Sequence, residues 1–268
     1  MLNQIVARTR ADLVERMKQV TLEALNDRFP EASPASLEAK LQRPGVNVIA
    51  EIKYRSPSHG AFKCRLEPEE VAQAYAENDA AALSILTDEP FFGGSLKYLE
   101  RVYRYLQERD SEEDSNRPVP LLRKDFILDR YQVAEARAYG AAAFLLIAAC
   151  LEADQCRSLI DYGREISLEA LVEIHDPFEL DVAVDSGARL LGVNNRNLKT
   201  FEVSIENSKR LSALIPNQFV KVSESGISSI EAISELKNYG YQGFLVGEHF
   251  MRNDDPGIAA KEFIQQLL

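Results

Sequence analysis

The chain has 268 residues with no tryptophan, only three cysteines and only three histidines. Cys64, Cys150 and Cys156 cannot all pair with one another, so we expect reduced, buried thiols and no disulfide framework. The sequence has no CxxC or HExxH spacing and no G-x-G-x-x-G motif after an apolar run. It therefore predicts no metal site and no dinucleotide-binding site.

Positive charge is in deficit, because 31 Lys and Arg residues face 42 Asp and Glu residues and leave a net charge of −11 at pH 7. Proteins that bind nucleic acid usually present a basic face, so this balance argues against a nucleic-acid partner. An acidic surface is instead typical of a soluble protein that stays dispersed.

Long hydrophobic runs are missing too, since no stretch approaches the roughly 18 apolar residues that cross a bilayer. Residues 1–20 carry charges throughout and contain no apolar signal core. We therefore expect no secretion and no membrane partner. The sequence predicts a cytoplasmic protein.

The N-terminal part of the chain has the apolar spacing of a helix. Its apolar residues recur at steps of three and four, with a polar gap at Thr9 and Arg10, and they are Leu2, Ile5, Val6, Leu13, Met17, Val20 and Ala24. Three prolines between positions 30 and 44 end this pattern. We predict a helical extension over 1–45 that belongs to one domain with residues 46–268.

From residue 46 onward, short apolar runs alternate with longer amphipathic segments. Each run is too short for a typical helix and mostly apolar, as a strand covered on both faces must be. The predicted strands are 46–52, 82–86, 119–123, 142–147, 168–174, 190–193, 219–223 and 243–246. The predicted helices are 68–77, 96–107, 131–139, 152–165, 177–186, 204–214, 229–238 and 257–268. Eight such units predict an α/β fold, a (β/α)8 TIM barrel, with a doubly wound open sheet as the alternative.

One segment, 107–118, differs from the rest because it is polar and acidic, with the sequence QERDSEEDSNRP. It precedes the third predicted strand and so lies at the N-terminal end of the barrel, where residues serve stability rather than chemistry. We predict a solvated surface loop.

Polar residues collect where the predicted strands end, which is where barrels of this type carry their active sites. In chain order they are Glu51, Lys53 and Ser56, then Ser84, Lys124, Glu173, His175, Asn194, Asn195, Arg196, Glu224, Ser225, Gly226, Gly247 and Glu248. Glu51 and Lys53 lie two apart on one strand and so point to the same face. With Lys124 and Glu173 they predict a rim cluster of two carboxylates and two ammonium groups that supplies a proton donor and acceptor. A structural salt-bridge network at the barrel mouth is the alternative.

Glycines at the ends of the last two predicted strands indicate a phosphate site. Gly226 and Gly247 let backbone N–H groups approach an anion beside a following helix. Phe91, Phe92 and Phe126 also lie at strand ends, where they either line an aromatic pocket or pack in the core.

Taken together in order and spacing, these motifs resemble the indole-3-glycerol phosphate synthase family along the whole chain. The matching stretches are 48–53 (VIAEIK), 56–58 (SPS), 82–88 (ALSILTD) with Phe91 and Phe92, 122–126 (LRKDF), 171–173 (LVE), 192–196 (GVNNR), 223–226 (SESG) and 245–248 (LVGE). Each motif is weak alone, but their joint order is specific.

The resemblance implies a carboxy-lyase of tryptophan biosynthesis that uses neither metal nor organic cofactor. Its small sugar-phosphate substrate, 1-(o-carboxyphenylamino)-1-deoxyribulose 5-phosphate, undergoes ring closure and loses carbon dioxide and water to give indole-3-glycerol phosphate. The family's extra N-terminal helices partly cover the barrel mouth and add to phosphate binding. We expect a monomer or a weak homo-oligomer.

The resemblance also implies roles for the residues at the strand ends. Lys124 matches a general acid that protonates the substrate carbonyl, and Lys53 matches a lysine near the substrate carboxylate that also donates a proton in dehydration. Glu173 matches a proton shuttle for the leaving hydroxide, while Glu51 and Asn194 match residues that hold the anilino nitrogen and the sugar hydroxyls. Which acid serves which step stays open, because two lysines and two glutamates are available.

The other matching positions bind the substrate or support the site. Ser225 and Glu224 match the pair on strand seven, Arg196 matches an arginine that buttresses the site, and Ser84 on strand two is counted with the substrate-binding residues. The apolar contacts to the anthranilate ring are Phe92, Phe126, Leu145 and Leu198. The phosphate end consists of Ser56, Gly226, Gly247 and the backbone N–H of Glu248.

Three departures from the family pattern touch no catalytic group. Gly93 and Gly94 replace bulkier polar residues, Asn197 stands where an aspartate is common, and the 107–118 segment is longer than usual. Two other functions remain as alternatives. A phosphoribosylanthranilate isomerase would need a cysteine at the end of the first strand, which this chain lacks. A non-catalytic barrel that only binds a phosphometabolite would keep the pocket without turnover.

Overall fold

A computed structural model describes residues 1–112, 118–197 and 200–267. Eight parallel strands form a closed barrel, in which each strand pairs with its neighbours in the chain and the first pairs with the last. They are β1 (Asn47–Ile52), β2 (Ala82–Leu86), β3 (Leu121–Lys124), β4 (Ala143–Ile147), β5 (Glu169–Ile174), β6 (Leu190–Asn194), β7 (Val220–Glu224) and β8 (Gly243–Val246). The predicted barrel is confirmed, and its closure excludes the open sheet.

The helices follow the predicted alternation. They are α1 (Leu2–Gln19), α2 (Leu22–Asn26), α3 (Leu37–Leu41), α4 (Pro68–Glu77), α5 (Glu89–Phe92), α6 (Leu96–Glu112), α7 (Arg130–Ala138), α8 (Ala153–Glu165), α9 (Pro177–Asp185), α10 (Glu206–Ser212), α11 (Ile230–Asn238), α12 (Glu248–Met251) and α13 (Pro256–Gln265). A 3-10 turn spans Ala148–Cys150, and Arg55–Ser56 pairs with Gly60–Ala61 in a small hairpin.

The acidic segment 107–118 begins differently from the prediction, because α6 continues through Glu112. Gln, Glu and Arg are good helix formers, and a solvated helix needs no apolar face along its last turn. A polar composition alone therefore does not distinguish an exposed loop from an exposed helix end. The remainder of the segment, 113–117, lies outside the described residues.

Short polar side chains begin several of the helices that follow the barrel strands. Asp129 accepts a hydrogen bond from the backbone N–H of Tyr131, and Ser229 accepts one from Ala232. Each satisfies an N–H group that has no acceptor inside its helix. The loops after β3 and β7 therefore end at defined residues, which fixes where the functional side chains on those loops lie.

Apolar side chains fill the barrel interior from its N-terminal end toward the C-terminal ends of the strands, because alternate residues of each strand point inward. This inner cluster contains Leu37, Leu41, Ile49, Ala82, Leu122, Ala143, Leu145, Ile147, Leu171, Leu190, Val220, Val222 and Leu245. Its first two members come from α3, which therefore closes the N-terminal end of the barrel. The second set of alternate residues packs outward against the helices.

The N-terminal helices divide between the two ends of the barrel. Helix α1 buries Ile5, Thr9 and Leu13, so Thr9 lies on the buried face although the sequence analysis placed a polar gap there. Helix α1 ends before Val20, whose backbone is extended. Thr21 then caps a separate helix, α2. The predicted cover over the barrel mouth is provided by α1, whereas α3 lies at the opposite end.

All three cysteines are free, with Cys64 and Cys156 buried and Cys150 half-buried. Among the residues that the structure describes, no helix combines the length and apolarity needed to cross a membrane.

Candidate active site

A cavity of about 360 Å³ opens at the C-terminal ends of the strands. Its lining comes from all eight barrel strands or the loops after them, because the C-terminal ends of parallel strands meet at one end of a barrel. The predicted site residues that line it are Glu51, Lys53, Ser56, Phe92, Lys124, Phe126, Leu145, Glu173, Asn194, Arg196, Glu224, Ser225, Gly226, Gly247 and Glu248.

One residue predicted to bind the substrate does not line the cavity. Ser84 is fully buried inside the barrel beside its register partner Glu51, and its hydroxyl has no hydrogen-bond partner within the described part of the chain. Leu198 lies outside the described residues. The position of a residue on its strand does not show whether its side chain reaches the barrel mouth or lies in a deeper layer, because inward-pointing residues occupy several layers.

Lys124 stands at the centre of the cluster. Its Nζ lies 2.8 Å from Oε2 of Glu173 and 2.9 Å from Oε2 of Glu224. Burial alone would lower the pKa of this ammonium, but the charges of Glu173, Glu224 and Glu51 outweigh burial and hold the pKa well above its usual range. Lys124 is therefore a cation at every physiological pH, with its charge aimed into the cavity.

The pKa values of the two carboxyl groups beside Lys124 are shifted in opposite directions. Burial would raise the pKa of Glu173, but Lys124 and His175 outweigh it and lower that pKa, and Oε1 of Glu173 also accepts a 2.9 Å hydrogen bond from Asn194. Burial raises the pKa of Glu224 to about 7, with Glu173 adding to the rise and Lys124 opposing it. Oε1 of Glu224 has no hydrogen-bond partner among the described residues. Such a pair suits proton transfer, since one group is ionised and the other holds a proton near neutrality.

Lys53 and Glu51 form a second ion pair on β1 and the residue after it. Glu51 is buried, whereas 15% of the Lys53 side chain remains exposed on the cavity. The ammonium is thus available to a ligand while its carboxylate partner sits behind it. Glu51, Lys53, Lys124 and Glu173 form two ion pairs, and all four line one cavity, as predicted.

Two glycines make room for the buried carboxylates. A Cβ atom on Gly192 would collide with Oε1 of Glu224, and one on Gly247 would collide with Oε1 of Glu51. The sequence argument attributed Gly247 to an anion site and did not single out Gly192. A glycine inside an apolar strand often marks a close approach of this kind, so the signal was present.

The opposite end of the cavity carries small residues and cations. Ser225 and Gly226 both have positive φ angles, of 65° and 75°, so a tight left-handed turn follows β7. Arg196 and Arg252 line this end, and both pair with the carboxylate of Glu248. The first N–H groups of α12 have no acceptor within their helix. This end can therefore receive an anion.

The side wall of the cavity is apolar. The rings of Phe92 and Phe126 lie 6.0 Å apart between centroids at an interplanar angle of 37°, and Leu145 lines the same space. Phe91 is not among the lining residues. The cavity thus combines an apolar wall and an anion-receiving end with acid and base groups.

A buried ionic network holds the end of β3 in place. The guanidinium of Arg123 is fully buried and bonds Asp125 at 2.9 Å, Glu135 at 3.1 Å and the hydroxyl of Thr87 at 3.1 Å. Arg16 of α1 reaches the same carboxylate of Glu135 at 3.2 Å. Because Lys124 lies between Arg123 and Asp125, this network fixes its backbone from both sides. Sequence reasoning missed Arg123, although a charge inside an apolar run was a usable signal.

Several other lining residues were also missed. Met1 and the α1 residues Leu2 and Ile5 line the cavity, and Arg252 lies at its anion end. The α1 stripe indicated burial but not what it would cover. Arg252 has no signal of its own, since nothing in the sequence distinguishes it from the other surface cations.

The comparisons with known proteins agree on one family. Residues 2–263 match the family model described as indole-3-glycerol phosphate synthase. A protein of that name from Bacteroides thetaiotaomicron is 42% identical over 268 residues, which cover 99% of this chain and 98% of that protein. Proteins of the same name from Koribacter versatilis and Campylobacter jejuni subsp. doylei are 43% identical over 266 residues and 39% identical over 269 residues. These alignments cover 98% of this chain in both cases, and 98% and 99% of the two relatives.

Solved structures with a similar fold are more distant in sequence. Thiamine phosphate pyrophosphorylase from Pyrococcus furiosus has a TM-score of 0.57 and 16% identity, covering 83% of this chain and 97% of that one. KGPDC from Streptococcus mutans has a TM-score of 0.59 and 12% identity, covering 83% and 99%. At these identities the similarity shows the barrel fold alone.

Proposed function

This chain belongs to the indole-3-glycerol phosphate synthase family, and from this premise we propose how its cavity carries out the family's reaction. The enzyme is a carboxy-lyase of tryptophan biosynthesis, and its substrate is a small sugar phosphate. The observation that carries the proposal is the position of Lys124 between two buried carboxyl groups of unequal proton affinity. The proposed substrate is 1-(o-carboxyphenylamino)-1-deoxyribulose 5-phosphate.

The two ends of the cavity match the two ends of that substrate. The anthranilate ring would lie on the apolar wall of Phe92, Phe126 and Leu145, with Leu198 proposed from family resemblance. The ammonium of Lys53 would orient the ring carboxylate. The phosphate would lie at the opposite end, against Ser56, Gly226, Gly247 and the backbone N–H of Glu248, with the cation of Arg252 nearby.

In the first step, the ring carbon that bears the carboxylate attacks the sugar carbonyl carbon. Negative charge grows on the carbonyl oxygen, and Lys124 meets that charge and delivers a proton to it. Carbon dioxide then leaves from the ring carbon, and the electron pair of the broken bond restores the aromatic ring. The new carbon–carbon bond takes its electron pair from the ring, and the carbonyl oxygen gains one proton. The broken bond to carbon dioxide returns its electron pair to the ring.

Dehydration follows at the former carbonyl carbon of the sugar. The hydroxyl leaves as water after it receives one proton, and the neighbouring carbon gives up one proton to form the indole double bond. We assign this proton shuttle to Glu173, with Lys53 as the second donor. Glu224 holds a proton near neutral pH and lies against Lys124, so it can return a proton to that amine.

The remaining groups hold the reacting atoms in place. Glu51 and Asn194 would bond the anilino nitrogen and the sugar hydroxyls, Ser225 would complete the turn beside the substrate, and Arg196 would brace Glu248. Ser84 is fully buried beside Glu51 and is not among the residues that line the cavity, so we assign it no contact with the substrate.

We further propose that residues 1–45 act as an extension of a single domain whose barrel spans 46–268. The enzyme would work in the cytoplasm as a monomer or a weak homo-oligomer, without a nucleic-acid partner. Sedimentation of the purified protein tests the oligomeric state.

The direct test of the function is turnover. Purified protein without added metal is mixed with the carboxyphenylamino sugar phosphate, and indole fluorescence is followed with time. We expect the fluorescence to rise and inorganic phosphate to compete weakly with the substrate. A protein that binds the substrate but forms no indole would be a non-catalytic phosphate-binding barrel.

A further inference from the structure

His175 follows the last residue of β5 and stands directly behind Glu173. Its side chain is 13% exposed and does not line the cavity. Its Nε2 lies 3.5 Å from Oε1 of Glu173, and its Nδ1 lies 3.0 Å from Oε2 of Glu179 on α9. The imidazole thus stands between two carboxylates, one of which belongs to the active site.

The ring is oriented through Nδ1, which bonds Glu179, whereas Nε2 has no hydrogen-bond partner among the described residues and faces Glu173. Oε2 of Glu179 accepts hydrogen bonds from the backbone N–H of His175 at 2.7 Å and pairs with the ring nitrogen. The backbone carbonyl of His175 accepts a 3.1 Å hydrogen bond from Asn207 of α10, which also bonds the carbonyl of Asn194 at 2.9 Å. Three elements therefore fix the position of the ring against Glu173.

The surroundings of His175 favour its charged form. Burial lowers its pKa, but the hydrogen bond with Glu179 and the charges of Glu173, Glu179 and Glu224 outweigh burial and raise it. The thiol of Cys150 in the neighbouring 3-10 turn stays neutral, because burial raises its pKa to about 12. The opposing cation, Lys124, reaches the other oxygen of Glu173.

We propose that His175, held by Glu179, is a positioning residue that keeps Glu173 ionised and directed at Lys124 and Asn194. The imidazolium supplies a second positive charge to a carboxylate that is otherwise buried with one lysine. After Glu173 has taken up a proton, the imidazolium favours release of that proton, so the carboxylate is ionised again for the next turnover. This inference rests on the proposed role of Glu173 as the proton shuttle.

The first test is independent of activity. The chain has three histidines, so the ring C–H resonances can be followed by NMR against pH, and the H175N variant assigns the resonance it lacks. We expect His175 to titrate above the usual histidine range, and E179Q to lower its titration by about one pH unit or more. The matched control is D181N, which removes a negative charge from an exposed position of the same helix. An unchanged titration in E179Q would overturn the proposal.

The second test is the pH dependence of kcat for indole formation. H175N removes a positive charge beside Glu173, so a higher pH is needed to ionise that carboxylate. We expect the acid limb of kcat to move upward by about one pH unit, with little change in KM, and E179Q to move it in the same direction. A kcat that falls equally at every pH, with the acid limb in place, would make His175 merely structural. Absence of indole from the unmodified enzyme would instead refute the proposed function, while the NMR titration would still report on His175.

Discussion

The raised pKa of the Glu224 carboxyl serves proton transfer and lowers the stability of the folded protein. Its Oε2 bonds Lys124, while its Oε1 faces Gly192 without a hydrogen-bond partner among the described residues. Burial raises the pKa of this carboxyl, so the folded protein keeps a proton that the unfolded chain would release. Ionised Glu224 therefore destabilises the fold, in exchange for a proton carrier at neutral pH.

We expect E224Q to be more stable relative to the unmodified protein at pH 8 than at pH 5. Between about pH 4.5 and about pH 7 the folded state binds more protons at this site than the unfolded state, so the unmodified protein loses stability as pH rises through that window. The variant lacks this loss. Urea unfolding at both pH values measures the difference in the free energy of unfolding.

The control is E262Q, at an exposed glutamate on α13, for which the difference between the two pH values should vanish. A variant that becomes relatively less stable toward pH 8 would show that Glu224 is ionised in the folded protein well below neutrality.

Gly192 offers a second test at the residue scale. In G192A the new methyl group occupies the space of Oε1 of Glu224 and displaces the carboxyl from Lys124. We expect indole formation to fall by roughly 10²-fold, because a small displacement of a catalytic group has effects of that size. The control is G257A, where a methyl group would meet Ala74 far from the cavity. Equal turnover in the two variants would mean that the collision at Gly192 does not matter to the reaction.

At the scale of elements, the network around Arg123 joins β3, α7 and α1. Arg123, Asp125 and Glu135 are buried, so removing Arg123 leaves buried carboxylates with less compensation. The same network flanks Lys124. Element packing and catalytic geometry are thus coupled at the end of one strand.

For R123M we expect a loss of about 3–5 kcal/mol in the free energy of unfolding, because Asp125 stays buried without its cation and Glu135 keeps only the partly exposed Arg16. The control is R104A, which breaks an exposed pair with Glu100 on α6 and should cost only about 0–1 kcal/mol. Urea unfolding of both variants provides the comparison. Similar losses in the two would show that the Arg123 network adds nothing beyond a surface pair.

At the scale of the whole molecule, the barrel could be predicted because every strand is an apolar run between amphipathic segments. The site could be located because β-strand polarity places strand ends on one rim, which brings Lys53, Lys124 and Glu173 together. The pairing of Lys124 with Glu224 could not be predicted, because it depends on which side chains meet across the barrel. The place of α3 depends likewise on the shape of the open barrel end, and composition does not encode it.

The measurement that tests the account most directly is the turnover of K124A beside K97A, which removes an exposed lysine of α6. If Lys124 protonates the substrate carbonyl, K124A should form indole roughly 10²–10⁴-fold more slowly or worse, with urea unfolding still cooperative, and K97A should match the unmodified enzyme. Near-normal indole formation by a folded K124A would contradict the central claim that this ammonium, held between two carboxyl groups, is the acid of the reaction.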